Sequence, residues 1–172
     1  PYYTFKDAGY SITLASPMGG QVPIDPNSLE DDAMTDDAIR YTKDELARSA
    51  MAATIPLEEV RAEEFDAVFY PGGHGPLWDL SDNAHSIKLI EDIIASGKPV
   101  GAVCHAPIVL KDVKAADGEL LVKGKSVTGF TNSEEDAMGL TDIVPYLVED
   151  ELVKSGGKFE KADNFAVKVC TD

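Results

Sequence analysis

The chain has 172 residues, of which 44% are hydrophobic and 27% are charged, and this length and composition are typical of one globular domain with a sizeable core. Its 31 acidic residues against 15 basic ones give a formal net charge of −16. This balance argues against nucleic acid and anionic membranes as partners, because both are bound by clustered Lys and Arg side chains. No window approaches 18 consecutive apolar residues, so the sequence predicts no spanning helix.

The two cysteines, Cys104 and Cys170, match neither a short disulfide spacing nor a metal motif. No signal peptide is visible in the sequence, and a reducing cytoplasm is therefore the expected location. The chain begins without an initiator Met, which is also compatible with a processed or truncated chain.

No metal or cofactor is expected. The acidic stretch that starts at Asp25 superficially resembles a calcium loop, but Glu30 stands where that loop needs glycine and Asp36 replaces the final glutamate. A solvated acidic loop and helix explain the stretch better. The glycines at 72–75 do not form a phosphate-binding loop either, because no Gly-Lys-Ser/Thr follows them.

Helices and strands are predicted to alternate along the chain. The predicted helices occupy 1–10, part of 23–64, 81–98, 106–113, 132–139 and 143–157. The predicted strands occupy 10–17, 67–70, 99–104, 124–130 and 164–172. This alternation favours the α/β class, with a mostly parallel sheet covered by helices on both faces. No repeat or linker divides the chain, and residues 1–172 are predicted to form a single domain.

Cys104 is the first candidate functional residue, because it ends a buried strand and precedes a helix. Ligands of parallel sheets gather at the carboxyl ends of the strands, and a helix N-terminus favours a thiolate over a thiol. The arrangement is the cysteine counterpart of a nucleophile elbow. The neighbouring His105 is a candidate base, although its side chain could instead face a carboxylate across the site.

The loop after the preceding strand, residues 71–78, is the second candidate region. Its glycines permit close approach of the backbone to a ligand. Amides of Gly73 or His74, together with that of His105, could bind a developing oxyanion. The Trp78 side chain either walls the pocket or packs in the core.

A histidine base usually requires an acid that orients it. The loop after the 124–130 strand supplies two candidates, Glu134 and Glu135. Position alone does not choose between them, and solvation on a helix surface is the alternative for both.

Four motifs together, "YPGGHGPLWDL", "AVCHAP", "GKSVTGFTNSEE" and "VPYLVEDEL", resemble the ThiJ/PfpI superfamily of class I glutamine amidotransferase-like folds. The similarity is strongest to its branch of heat-shock chaperones and glutathione-independent glyoxalases (glyoxalase III), and it covers essentially the whole chain. It implies a flavodoxin-like three-layer α/β sandwich that is usually a homodimer. The nucleophile of the family falls on Cys104, its histidine on His105 and the acid of the glyoxalase branch on Glu135, with Glu134 as the alternative.

Two departures from the family pattern are visible. Ala102 and Ala106 replace the elbow glycines of true glutaminases, and no histidine follows His105, so glutamine hydrolysis is disfavoured. The resemblance also implies a first strand, with a glutamate that contacts the cysteine, and a C-terminal helix, neither of which this chain includes. The 172 residues are therefore expected to be a fragment of a longer protein.

The leading functional hypothesis is a cysteine-dependent enzyme that acts on small reactive aldehydes, converting methylglyoxal to lactate without glutathione or a metal. Protein deglycase or intracellular peptidase activity at the same site is one alternative. The other is a stress chaperone or redox-sensing module in which Cys104 is oxidised rather than catalytic.

Overall fold

Short pairs of parallel strands, joined by helices, make up the fold of the computed structural model. The model describes residues 1–30 and 34–172, so Asp31 and Asp32 of the predicted acidic loop lie outside the described residues. The described chain divides into two units, 1–60 and 61–172. The assignment of the whole chain to one domain stays a prediction.

Among its described residues, the first unit holds one strand pair and three α-helices. In chain order its elements are α1 (Tyr2–Asp7), β1 (Ala15–Ser16), a 3-10 helix (Pro26–Leu29), α2 (Asp36–Lys43), α3 (Glu45–Ala52), β2 (Ile55–Pro56) and a second 3-10 helix (Leu57–Glu59). Strands β1 and β2 are parallel. Asp44 caps α3 by accepting a hydrogen bond from the Ala47 amide at 3.0 Å, and its carboxylate also pairs with Lys6 at 3.2 Å, which ties α1 to the α2–α3 corner.

The second unit holds two parallel strand pairs and four α-helices. Its elements are a 3-10 helix (Ala62–Glu64), β3 (Val68–Tyr70), α4 (Pro76–Asp79), α5 (Ala84–Ala95), β4 (Val100–Ala102), a 3-10 helix (Ala106–Leu110), β5 (Ser126–Val127), α6 (Asn132–Ala137), α7 (Val148–Lys154) and β6 (Lys158–Phe159). Strand β3 pairs with β4, and β5 pairs with β6. The α/β class with parallel strands is confirmed. No helix in the described part of the chain is long and apolar enough to cross a membrane.

Helix α5 anchors the core of this unit. Asn83 caps its N-terminus by accepting hydrogen bonds from the amides of His85 and Ser86, and Asn is among the residue types that cap helices most effectively. The side chains of Ile90 and Ile93 are fully buried, because they lie on one face of the helix at a spacing of three residues. Ser86 on the same helix bonds the Tyr70 hydroxyl at 2.9 Å, which fixes the last residue of β3 against the core.

Two predicted elements differ from the structure. The predicted helix at 106–113 is a 3-10 helix of five residues, Ala106–Leu110, so the dipole following Cys104 is that of a short helix. The predicted strand at 164–172 forms no strand among the described residues. Its apolar side chains Val167 and Val169 are 92% and 72% exposed, so their alternation faces no buried surface, and the positive φ of 61° at Phe165 breaks the extended backbone.

Candidate functional site

The site begins where β3 and β4 end side by side. Their parallel register pairs Tyr70 with Ala102, so the loop after each strand emerges at the same edge of the sheet. The first loop carries Gly72, Gly73 and His74, and the second carries Cys104. A Cβ placed on Gly72 would lie 2.6 Å from the Cys104 Cβ and 3.4 Å from its sulfur, so the glycine loop passes directly against the cysteine.

Cys104 occupies a sharp turn and has the left-handed φ of 63°. This conformation is unfavourable for L-amino acids other than glycine. Backbone strain of this kind costs about 1–3 kcal/mol and is retained only where the surroundings enforce it. Here the Cys104 carbonyl accepts a hydrogen bond from the Phe130 amide at 2.8 Å. The geometry is that of the elbow expected from the sequence, in which a strained turn presents the reactive atom above the sheet.

Three side chains form a continuous hydrogen-bonded series at this turn. The Cys104 sulfur lies 3.2 Å from Nδ1 of His105, and Nε2 of His105 lies 2.7 Å from Oε2 of Glu135. His105 and Glu135 are buried, with 1% and 2% of their surfaces exposed. The structure therefore brings together Cys104, His105 and Glu135, the residues on which the family's nucleophile, histidine and acid fall by resemblance, with Glu134 as the alternative acid.

The capping of α6 decides which glutamate reaches His105. Thr131 is the N-cap, and the Glu134 side chain folds back onto the Thr131 amide at 2.8 Å, which completes a capping box. The other oxygen of Glu134 accepts a hydrogen bond from the Phe165 amide at 2.6 Å. With Glu134 used in this way, its neighbour Glu135 is the glutamate that contacts His105.

The buried position of His105 sets its charge. Burial lowers the pKa of His105 below its ordinary value, and the hydrogen bond to Glu135 opposes this effect in part. An ionised carboxylate only accepts hydrogen bonds, so the proton of the neutral ring sits on Nε2 and leaves the Nδ1 lone pair toward the sulfur. This is the tautomer that can take a proton from the Cys104 thiol.

His74 joins the site through Glu135. Its Nε2 lies 3.1 Å from Oε1 of Glu135, and its ring centroid is 3.9 Å from that of His105. The ligand atoms of His74, His105 and Glu135 all lie within 4.8 Å of one another, so these three residues could hold a metal ion. Both contacts to Glu135 have ordinary hydrogen-bond lengths.

The remaining predicted residues lie at the margin of the site. Gly73 has a positive φ of 96°, which lets the loop turn beside the cysteine. Trp78 lies on α4 and is 58% exposed, and its role as a pocket wall stays a prediction. Phe130, which sequence reasoning missed, packs its ring 4.1 Å from that of His105. Its position at the end of the 124–130 run, directly before the glutamates, was the available signal.

A family match covers nearly the whole chain. The model of the DJ-1/PfpI family matches residues 1–171. The chain belongs to the DJ-1/PfpI family. The resemblance to the ThiJ/PfpI superfamily is thereby confirmed.

Two of the similar proteins carry names of the branch expected from the motifs. The glutathione-independent glyoxalase hsp3101 of Schizosaccharomyces pombe is 33% identical over 150 residues, which cover 84% of this chain and 61% of the relative. The solved structure of glyoxalase III from Candida albicans has a TM-score of 0.87 at 27% identity, covering 95% of this chain and 71% of that one. The Rapid Encystment Protein 24 kDa of Francisella tularensis reaches a TM-score of 0.92 at 38% identity, covering 100% and 76%. The two solved structures share the α/β fold of the chain. The chain spans less than two thirds of the length of the fission-yeast glyoxalase.

Proposed function

We propose that the protein is a cysteine-dependent enzyme that converts methylglyoxal to lactate without glutathione. The observation that carries the proposal is the series Cys104–His105–Glu135, assembled at a strained turn with contacts of 3.2 Å and 2.7 Å. The names of the fission-yeast and Candida relatives, glutathione-independent glyoxalase and glyoxalase III, support the choice of substrate.

The first step is addition of the thiol to the aldehyde. His105 takes the thiol proton on Nδ1, and the sulfur of Cys104 forms a bond to the aldehyde carbon of methylglyoxal. The carbonyl oxygen takes up a proton and becomes the hydroxyl of a hemithioacetal. Glu135 stabilises the imidazolium that forms in between, because its carboxylate lies 2.7 Å from Nε2.

The second stage moves a proton between the two carbons and releases the product. A base removes the proton from the carbon bonded to sulfur, and the neighbouring carbonyl oxygen takes up a proton, which gives an enediol. The hydroxyl on the sulfur-bearing carbon then loses its proton to become the thioester carbonyl, and the neighbouring carbon receives a proton, which yields the thioester of lactate. His105 is the base that the described residues place beside the sulfur. Water then attacks the thioester carbonyl, the carbon–sulfur bond breaks, and the thiol regains its proton, so that one methylglyoxal and one water give one lactic acid, which ionises to lactate.

Backbone amides of the two loops that meet at Cys104 support stabilisation of the oxyanion. The amides of Gly73, His74 and His105 donate to no acceptor among the residues that the structure describes, and they belong to the two loops that meet at Cys104. We assign these amides to the substrate oxygen, since preorganised N–H donors of this kind stabilise developing negative charge. Trp78 is proposed to wall the substrate pocket on the α4 side.

A homodimer in the cytoplasm completes the proposal. The free thiols of Cys104 and Cys170 support a reducing compartment, and membership of a family expected to be dimeric supports a second copy of the chain as partner. Sedimentation of the full-length protein tests the dimer, and a single monomeric species at micromolar concentration would contradict it.

The decisive experiment is turnover of methylglyoxal by the full-length protein in buffer free of glutathione, with lactate measured as product. Cys104→Ser is expected to lower kcat/KM by roughly 10³-fold or more. Cys170→Ser is the matched control, because it removes the other thiol, and it is expected to retain full activity. Equal activity of the two variants would refute the proposed function.

A further inference from the structure

His74 contacts both buried members of the series, His105 and Glu135, without belonging to it. Its Nε2 lies 3.1 Å from Oε1 of Glu135, and its ring packs against that of His105 at a centroid distance of 3.9 Å and an interplanar angle of 38°. The backbone at this point is fixed, since the His74 carbonyl accepts a hydrogen bond from the Leu77 amide at 3.0 Å as α4 begins. A third of the His74 side chain stays exposed, so it forms the outer edge of an otherwise buried cluster.

The two oxygens of Glu135 are divided between the two histidines. Oε2 faces Nε2 of His105 at 2.7 Å, and Oε1 faces Nε2 of His74 at 3.1 Å. An ionised carboxylate has no proton to donate, so each histidine nitrogen must carry the hydrogen that joins it to Glu135. Without His74, Oε1 would be a buried acceptor with no donor at this point, which is costly in a dry site.

We propose that His74 is a positioning residue: its Nε2–H holds Oε1 of Glu135, so that only Oε2 is presented to His105 and the Nδ1 lone pair of His105 stays directed at the Cys104 sulfur. The inference rests on the proposed function of the site. It assigns the His74 side chain to the acid of the series, and leaves contact with the substrate to the backbone amide of the same residue.

His74 also affects the charge of His105. The ionisable groups that face His105 are Cys104, Glu135, His74 and Glu134. Burial is the main cause that lowers the pKa of His105, and the electrostatic effect of His74 lowers it further. The His74 hydrogen bond also draws on the carboxylate that would otherwise serve His105 alone. Both effects favour the neutral form of His105, which is the form that accepts the thiol proton.

Two substitutions distinguish the contribution of the His74 N–H donor from that of the His74 ring. His74→Phe keeps an aromatic ring against His105 and removes the N–H. His74→Gln removes the ring and keeps an N–H near the position of Nε2. His85→Phe is the matched control, because His85 is exposed on the surface of α5 and contacts none of these groups.

The full-length variants are compared by kcat and KM for methylglyoxal and by the pH dependence of Cys104 alkylation with iodoacetamide. His74→Phe is expected to lower kcat about ten-fold, because this factor corresponds to the free energy of one hydrogen bond to a charged group. Its KM is expected to change less than about two-fold. The acid limb of its alkylation profile is expected at higher pH, because the pKa of His105 rises when the carboxylate serves it alone. His74→Gln is expected to recover most of kcat, and His85→Phe to match the unsubstituted protein.

Three results would overturn the inference. The first is an unchanged kcat and alkylation profile in His74→Phe, and the second is failure of His74→Gln to recover any activity. The third is a rise in KM at constant kcat in His74→Phe, which would place the His74 side chain on the substrate instead. These results are distinguishable from failure of the proposed function. That failure is seen when Cys104→Ser retains turnover, whatever the His74 variants do.

Discussion

Cys104 and His105 are consecutive residues, and yet the sulfur of the first lies 3.2 Å from Nδ1 of the second. Side chains of adjacent residues usually diverge, and the left-handed φ of 63° at Cys104 is the feature that turns these two toward each other. His105 serves the thiol with one ring nitrogen and Glu135 with the other. The sequence left two possibilities for this histidine, its neighbour or a carboxylate across the site, and the structure shows both contacts at once.

The position of His105 predicts how activity depends on pH. Burial lowers its pKa below the ordinary value of 6.5, so the neutral base persists to lower pH than that of an exposed histidine. The acid limb of kcat/KM for methylglyoxal is therefore expected below pH 6.5. An acid limb clearly above pH 6.5 would contradict this assignment of the base.

The same lowered pKa predicts a dependence of stability on pH. The unfolded chain binds a proton at His105 below about pH 6.5, whereas the folded chain binds it only at lower pH. The contribution of His105 to stability is therefore complete above about pH 6.5 and is lost as the pH falls through the folded pKa. Urea unfolding of the native protein and of His105→Phe across this range measures the effect. The two proteins are expected to differ in the slope of stability against pH within this window, and parallel curves would contradict it.

Substitutions of the two adjacent glutamates of α6 are predicted to have different effects, one on kcat and the other on stability. Glu135→Gln can orient the wrong tautomer of His105 and is expected to lower kcat by roughly 10²- to 10⁴-fold with the fold intact. Glu134→Gln keeps one acceptor oxygen in place of two, so the side chain can accept from the Thr131 amide or from the Phe165 amide but not from both. The substitution is expected to cost about 1 kcal/mol of stability with a smaller effect on kcat. Steady-state kinetics and thermal unfolding of both variants test this, and equal losses of kcat would contradict it.

The contrast between these glutamates shows what the sequence could and could not predict. Residues such as Asn83, Ile90 and Ile93 follow local rules of capping and periodicity, and α5 was predictable for that reason. The meeting of 71–78 with Cys104 was predictable from the parallel order of β3 and β4. The choice of Glu135 by position alone was not, because it depends on the capping box that occupies Glu134.

Other features depend on contacts between segments distant in sequence. The strand predicted at 164–172 followed from alternation alone, and the structure places Val167 and Val169 in solvent. The link between His74 and Glu135 spans 61 residues, and no local pattern encodes it. The packing of Phe130 on His105 likewise arises only when the loop after β5 meets the loop after β4.

The Phe130 ring is predicted to stabilise the site as well as the fold. Phe130→Leu keeps apolar volume and removes the aromatic contact at 4.1 Å, and is expected to cost about 0.5–1.5 kcal/mol, measured by urea unfolding. Phe165→Leu is a suitable comparison because its ring is largely exposed and lies 6.3 Å from Phe130. A loss in Phe165→Leu as large as that in Phe130→Leu would contradict the assignment of the contact.

Gly72 provides the sharpest steric prediction. A methyl group at this position would meet the Cβ of Cys104 at 2.6 Å, a separation that requires the loop or the cysteine turn to move. Gly72→Ala is therefore expected to cost about 1–3 kcal/mol of stability and to lower kcat/KM by roughly 10²-fold, because the cysteine loses its alignment with His105. The melting temperature is expected to fall by a few degrees, at about 2–4 °C per kcal/mol for a chain of this size.

Gly75→Ala is the control for this substitution. Gly75 lies three residues further along the same loop, has an ordinary right-handed backbone with φ of −43°, and a Cβ there meets nothing within 4 Å. It is expected to change neither the melting temperature nor kcat/KM appreciably. If Gly72→Ala and Gly75→Ala behave alike, the close approach of the glycine loop to Cys104 does not exist in solution, and the loop cannot supply the amides assigned to the oxyanion.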